Sequence, residues 1–262
     1  MARSVSGMSE VNGNQPLGTP TWVTLRVPDV AAAKDWYGTV FGWEFEDTEL
    51  GTVCLLRGLP VAGIQEGTGG WTVYLATGDC DGTARAVAAA GGTVTEGPHE
   101  AGDLARTALA TDPVGAVFGL WQGRALPGCR LVNEPGALVR NDLVTGDPGP
   151  ARVFYPAVFG FTLDGNPDLP GFDFTFLRRP DGHEVGGIMG APGPGSAWGT
   201  CFEVADADAD ATLALADAGT AEDTPYGRSA TFRDPFGAEL SIIARAEAGA
   251  DPLLDDIGRG VD

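Results

Sequence analysis

Residues 21–43, TWVTLRVPDVAAAKDWYGTVFGW, change hydrophobic period partway along. Trp22, Thr24 and Arg26 fall on one face of an extended segment and Val23, Leu25 and Val27 on the other, the two-residue period of a half-buried strand. From Val30 the period lengthens, and Val30, Ala33, Trp36, Tyr37 and Val40 form one stripe at helical spacing. Asp29 is placed to cap that helix and Gly42 to end it. Glycine- and proline-punctuated apolar runs predict short strands near 44–47, 52–57 and 61–65, then a further strand over 71–77. A second helix is predicted over 79–90, closed by Gly91-Gly92, and strands follow at 93–96, 105–110 and 116–122. The D-P-V-G at 112–115 is a turn between the last two. The order is strand, helix, three strands, and then the same again: two βαβββ units.

The whole pattern then recurs. Residues 137–161, ALVRNDLVTGDPGPARVFYPAVFGF, repeat the opening, with Asp147 answering Asp29 and Phe154-Tyr155 answering Trp36-Tyr37. The segment from Leu75 matches the one from Phe202, and Asp112 of D-P-V-G matches Asp234 of D-P-F-G. The offsets are 118, 127 and 122 residues, far beyond a solenoid period, so a small domain occurs twice. The predicted organisation is a flexible lead over 1–18, a first module over 19–123, and a linker over 124–136. A second module follows over 137–245, then an acidic tail over 246–262, either loosely attached or a short docking helix. The fold class is α+β.

Composition narrows the partners. The 16 basic and 36 acidic residues leave a net charge of −20, which repels phosphate backbones and anionic membrane surfaces, so nucleic acid and membrane are excluded as partners. No run of 18 apolar residues occurs, and the first 20 residues lack the apolar segment of a signal peptide. Cys54, Cys80, Cys129 and Cys201 are scattered, with no C-x-x-C spacing, which predicts free thiols in the cytoplasm.

A repeated βαβββ order that opens strand-x-Asp-helix-[F/W]-Y-x-x-x-F-G-[W/F] and closes D-P-x-G-A resembles the vicinal oxygen chelate superfamily. Glyoxalase I, extradiol dioxygenases and the bleomycin and fosfomycin resistance proteins belong to it. The chain is especially similar to tandem glyoxalase-like proteins of actinobacteria, through G-T-P-x-W-V at 18–23, G-L-W-Q at 119–122 and L-V-N-E-x-G at 131–136. The resemblance implies two glyoxalase-like modules, each of paired βαβββ units, whose mixed sheets curl into a cup with helices outside. It also implies a small ligand in the cup and membership of a group that recurs in antibiotic gene clusters.

The same resemblance says where a divalent metal would sit. The first ligand position lies seven residues before the helix-capping Asp, at Trp22 and Arg140; the last lies seven after the Asp of D-P-x-G, at Gly119 and Ser241. The middle position falls near Thr72 and Gly199. Tryptophan and glycine side chains are not metal ligands, and arginine repels a cation, so no metal and no cofactor are expected. The two histidines, His99 and His183, fall in predicted turns away from those positions. Neither a phosphate-binding glycine loop nor a G-x-S-x-G elbow is present.

What replaces the metal suggests the ligand. By strand alternation Trp22, Thr24, Thr72, Tyr74 and Trp121 face the first cup, either as a flat aromatic slot or as the filling of a collapsed core. In the second cup Arg140, Asp142, Cys201 and Ser241 share one space. Arg140 and Asp142 either orient a ligand's polar group or form a structural salt bridge. Arg106 and Arg228, at matching points in the modules, brace the halves or reach the rim. The expected function is metal-independent binding of an aromatic or polyketide natural product, in specialised metabolism or self-resistance. The alternative is a cofactor-independent isomerase, cyclase or lyase using Asp142 and Arg140, and a metal-dependent glyoxalase or dioxygenase ranks below both. By analogy with the resistance proteins, a cationic ligand suits the charge, and the chain is expected as a monomer or homodimer.

Overall fold

The predicted strand–helix opening forms β1 (Pro20–Val27) and α1 (Val30–Phe41), in a computed structural model that describes residues 10–49, 51–165, 171–193, 195–205, 209–218, 220–224 and 226–245. Asp29 accepts the Ala32 amide at 2.9 Å, and Gly42 ends the helix at φ +69°, a left-handed turn that favours glycine. The stripe buried from α1 is Ala33, Tyr37 and Phe41, with Trp36 only half-buried. β2 (Glu44–Thr48), β3 (Gly51–Leu56) and β4 (Leu59–Glu66) complete the first unit. β5 (Gly70–Ala76), α2 (Cys80–Ala89), β6 (Thr93–Ala101), β7 (Ala105–Thr111) and β8 (Val117–Gly123) form the second. The units make one sheet of order β2-β3-β4-β1-β5-β8-β7-β6. β1 runs parallel to β4, β5 parallel to β8, and the units meet along the antiparallel β1–β5 seam.

The second module repeats this arrangement with its seam broken. The counterpart of β1 is split at Asn141 into β9 (Leu138–Arg140) and β10 (Asp142–Thr145). After α3 (Pro148–Phe159) come β11 (Thr162–Gly165), β12 (Phe174–Arg178) and β13 (Glu184–Gly190). The counterpart of β5 is likewise split, into β14 (Ser196–Trp198) and β15 (Cys201–Glu203). Then follow α4 (Ala209–Leu215), β16 (Glu222–Thr224), β17 (Gly227–Arg233) and β18 (Glu239–Arg245). Two five-stranded sheets result, β11-β12-β13-β10-β14 and β16-β17-β18-β15-β9. The break is pinned by the Asn141 side chain, whose amide donates to the Gly199 carbonyl at 2.8 Å, while the Gly199 amide donates to the Asp142 carbonyl at 2.8 Å. Both modules are α+β with mixed sheets curled in the glyoxalase-like manner.

The modules are joined by their repeated motifs. The Tyr37 hydroxyl of α1 donates to Asp234 of the second module's D-P-F-G turn at 2.6 Å, and Tyr155 of α3 donates to Asp112 of the first module's D-P-V-G turn at 2.8 Å. Trp71 and Trp198 donate to the same two hydroxyls at 3.2 and 2.7 Å. Around these bonds Phe41 and Trp43 pack on Phe202, and Phe154, Tyr155 and Phe159 pack on Phe118. Residues read from the sequence as each module's own stripe and turn are therefore exchanged between modules.

Residues 10–18, expected as a flexible lead, instead lie along the linker. The Val11 amide donates to Arg130, the Asn14 side chain to Gly123 and the Gly18 amide to Ala76, each at 2.9 Å. Within the linker Leu126, Cys129 and Leu131 are buried. The expectations for residues 1–9 and for the tail over 246–262 fall outside the described residues. All four cysteines are free thiols. No described helix is long and apolar enough to cross a membrane.

Candidate functional site

In the first cup Trp22 and Trp121 stack at 5.5 Å, and Tyr74 meets Trp121 edge-on at 5.7 Å. Their exposures of 3%, 5% and 6% make them a floor, not free walls. Two glycines allow it. A Cβ on Gly119 would run into the Tyr74 ring, and one on Gly63 would sit 3.2 Å from the Trp22 ring. Trp121 is fixed by its indole bond to the Leu126 carbonyl at 3.0 Å. Tyr74 hydrogen-bonds Thr24, and burial raises the pKa of its hydroxyl. Thr72 lies opposite Thr24 in the β1–β5 ladder. Above this floor remains a cavity of about 80 Å³, with Arg26, Glu96 and His99 in its lining. That is well under the roughly 300–1,000 Å³ of a pocket for a drug-sized ligand. His99, predicted in a turn, stands instead on β6 opposite Thr107, 3.8 Å from Glu96.

The second cup is charged. Arg140 binds Asp142 through Nε at 2.6 Å and Glu184 through Nη1 at 2.9 Å. Asp142 Oδ1 is buried with no hydrogen-bond partner. Burial raises the Asp142 carboxyl pKa, against the opposing pull of the Arg140 charge. Cys201 pairs with Arg140 on one side and Ser241 on the other, and Asp142 joins these three through its bond to Arg140. Burial, then the charge of Asp142, pushes the Cys201 thiol up to about 12, which removes it as a nucleophile at neutral pH. Ser241 shares a 2.7 Å hydrogen bond with Thr231.

The structure adds residues the sequence reading missed. Phe172 and Phe174 stack at 5.8 Å, Phe174 and Phe176 meet edge-on at 4.9 Å, and the Arg140 guanidinium lies 5.6 Å over the Phe174 ring. Phe174 covers Gly187, where a Cβ would collide with its ring, and Gly187 pairs directly with Asp142. Phe172 is 46% exposed. The available signal was F-D-F-T-F at 172–176, phenylalanine at every second position of a strand. Glu184 gave none, because a register shift in the β12–β13 ladder brings it opposite Arg178. Arg106 holds Asp81 of α2 at 2.7 Å, and Arg228 holds Asp210 of α4 at 3.0 Å, each fastening a helix to its neighbouring hairpin.

The donor set at the superfamily's metal positions does not fit a divalent cation. Tyr74 covers Gly119, Trp22 is stacked, and Arg140 is a cation engaged by two carboxylates. Among the described residues no three His, Cys, Asp or Glu side chains converge on one point.

A family model described as the Glyoxalase/Bleomycin resistance protein/Dioxygenase superfamily matches residues 19–120. The chain is 37% identical over 250 residues to CFP32 of Mycobacterium bovis, whose name assigns it provisionally to the glyoxylases, covering 87% of this chain and 95% of that one. It is 34% identical over 262 residues to the anthracycline biosynthesis protein DnrV of Streptomyces peucetius, covering 88% and 94%. Among solved structures it is similar to the Mn(II)-bound glyoxalase from Novosphingobium aromaticivorans, with a TM-score of 0.64 at 18% identity over 87% of this chain and 82% of that one. The 2,3-dioxygenase LapB from Pseudomonas sp. KL28 gives 0.62 at 15% identity over 87% and 93%. At those identities the structural likeness speaks to the fold alone.

Proposed function

The chain belongs to the glyoxalase/bleomycin resistance protein/dioxygenase superfamily, and from that premise we propose that it is a metal-independent binding protein for a flat aromatic or polyketide small molecule. The second cup is the site. The observation that carries this reading is the Phe172–Phe174–Phe176 ladder, which runs up to the Arg140–Asp142–Glu184 cluster. A flat ring laid on that ladder gains about 0.5–1.5 kcal/mol per aromatic contact beyond its buried area. The charged cluster then orients hydroxyl, carbonyl or amine groups at the ring's edge. The relatives named for anthracycline biosynthesis support a ligand of this class, and the net charge of −20 suits one that carries an amine. The protein works in the cytoplasm, as a monomer or homodimer.

Titration calorimetry with a dihydroxyanthraquinone, with and without chelator, tests the reading. Binding that survives chelator and weakens about tenfold in Phe174→Ala supports it, by the cost of losing one stacked aromatic. Binding that requires stoichiometric metal overturns it.

A second reading rests on Asp142. A buried carboxyl with a raised pKa and one unpartnered oxygen is the form a general base takes. It supports a cofactor-independent isomerase, cyclase or lyase, whose turnover collapses in Asp142→Asn. Under binding alone that variant changes affinity modestly and no product forms.

A further inference from the structure

A larger, open cleft of about 250 Å³ lies between the modules, lined by residues of the 11–21 segment, the linker, β9 and the start of β13. The N-terminal segment is tied across it, since Arg179 donates to the Thr19 hydroxyl at 2.9 Å. Arg140 and Glu184 line this cleft as well as belonging to the charged cluster of the second cup. The two spaces therefore adjoin, with the Arg140–Glu184 pair between them.

The lining has a consistent chemistry. Gln15, Asn133 and His183 contribute amide and imidazole groups, the last two exposed. Val132 and Val185 supply aliphatic wall. The lining charges are already matched, because Arg140 is engaged by Asp142 and Glu184. An ionic ligand would meet no counter-charge of its own here. Hydroxyl groups, which donate and accept at one atom, match amides and imidazole, and the C–H faces of a saturated ring match the valines. We infer that this cleft receives a hydroxylated saturated ring, sugar-like in chemistry, carried as a substituent on the flat ligand of the second cup. The inference rests on the aromatic platform proposed above and adds that the ligand has two parts.

The test compares 2-naphthol with 2-naphthyl β-D-glucoside by titration calorimetry. The wild-type protein is expected to bind the glucoside about tenfold more tightly, the worth of one to two net hydrogen bonds. The double variant Gln15→Leu/His183→Leu should abolish that preference and leave the affinity for naphthol unchanged. Saturation-transfer NMR on the wild-type protein should show the sugar protons in contact, which needs no variant to fold. Naphthol bound with no gain for the glucoside overturns the cleft and leaves the platform standing. A preference that persists in the double variant puts the sugar elsewhere and also overturns the assignment. If neither compound binds, the platform fails and the inference falls with it.

Discussion

Tyr155→Phe should cost the protein about 2–4 kcal/mol of stability at neutral pH, a figure built from two buried groups that each lose a partner. Asp112 is 4% exposed, and its Oδ1 is occupied by the Val114 and Ala116 amides at 3.0 and 2.8 Å. Its Oδ2 takes the Tyr155 hydroxyl at 2.8 Å, and that hydroxyl accepts the Trp198 indole at 2.7 Å. Removing one oxygen strands both a carboxylate oxygen and an indole N–H, at roughly 1–3 kcal/mol for each buried unsatisfied group. The loss should also depend on pH. Burial raises the Asp112 pKa in the folded state, and the Tyr155 hydrogen bond partly counters that rise. A carboxyl with a raised folded pKa makes the folded state bind more protons than the unfolded one between the two pKa values. Stability from this group therefore increases as pH falls through that window. Without the tyrosine hydroxyl the folded pKa climbs further, so the variant regains more than the wild type on acidification. Urea unfolding followed by tryptophan fluorescence at pH 7 and pH 4.5 measures both effects. A loss under about 0.5 kcal/mol, the range of an ordinary surface change, or a deficit that widens in acid, would refute the assignment of this buried bond as a module lock.

Gly119→Ala should destabilise by about 1–3 kcal/mol, the cost of overpacking, because its Cβ would collide with the Tyr74 ring; thermal melting checks it. Tyr37→Phe should reproduce the Tyr155→Phe loss at slightly smaller size, since the Trp71 bond of 3.2 Å is longer than the Trp198 bond of 2.7 Å; parallel urea curves decide. All four thiols should stay silent to a disulfide reagent at pH 8 until the protein is denatured, because burial raises the pKa of each, that of Cys80 to about 11 and those of Cys129 and Cys201 to about 12. A thiol that reacts rapidly in the native protein would contradict that placement.

The fold was legible because duplication wrote the same strand–helix grammar twice, and each copy disambiguates the other. The position of Asp29 ahead of the helical stripe of α1 made the same reading safe at Asp147, although Asp147 makes no capping bond with its side chain and Pro148 starts that helix instead. Alternation also gave the facing of Trp22, Thr24, Tyr74 and Trp121, because a strand's two-residue period fixes direction without any knowledge of neighbours. It did not tell a slot from a floor. That choice depends on Gly63 and Gly119, which let rings settle onto the sheet, and on how much space remains above them. The Phe172–Phe174–Phe176 ladder obeys the same alternation, but its place beside Arg140 and Asp142 depends on the β12–β13 and β10–β13 pairings, which alternation alone does not fix.

The module interface was hidden for a different reason. A motif that occurs once per module has two explanations: each copy serves its own module, or the copies are exchanged. Under pseudo-twofold symmetry both write the same residues at the same spacing, so no reading of a single chain separates them. Tyr37 finds Asp234, and Tyr155 finds Asp112, across 197 and 43 positions of sequence. An internal pairing would have required Tyr37 with Asp112 and Tyr155 with Asp234, at the similar offsets of 75 (112 − 37) and 79 (234 − 155) residues. The exchange ties the two cups into one folding unit. A change at either Tyr–Asp bond should therefore be felt in both modules, and a module expressed alone would expose an unpaired buried tyrosine and aspartate together with the aromatic surface around Phe41 or Phe118.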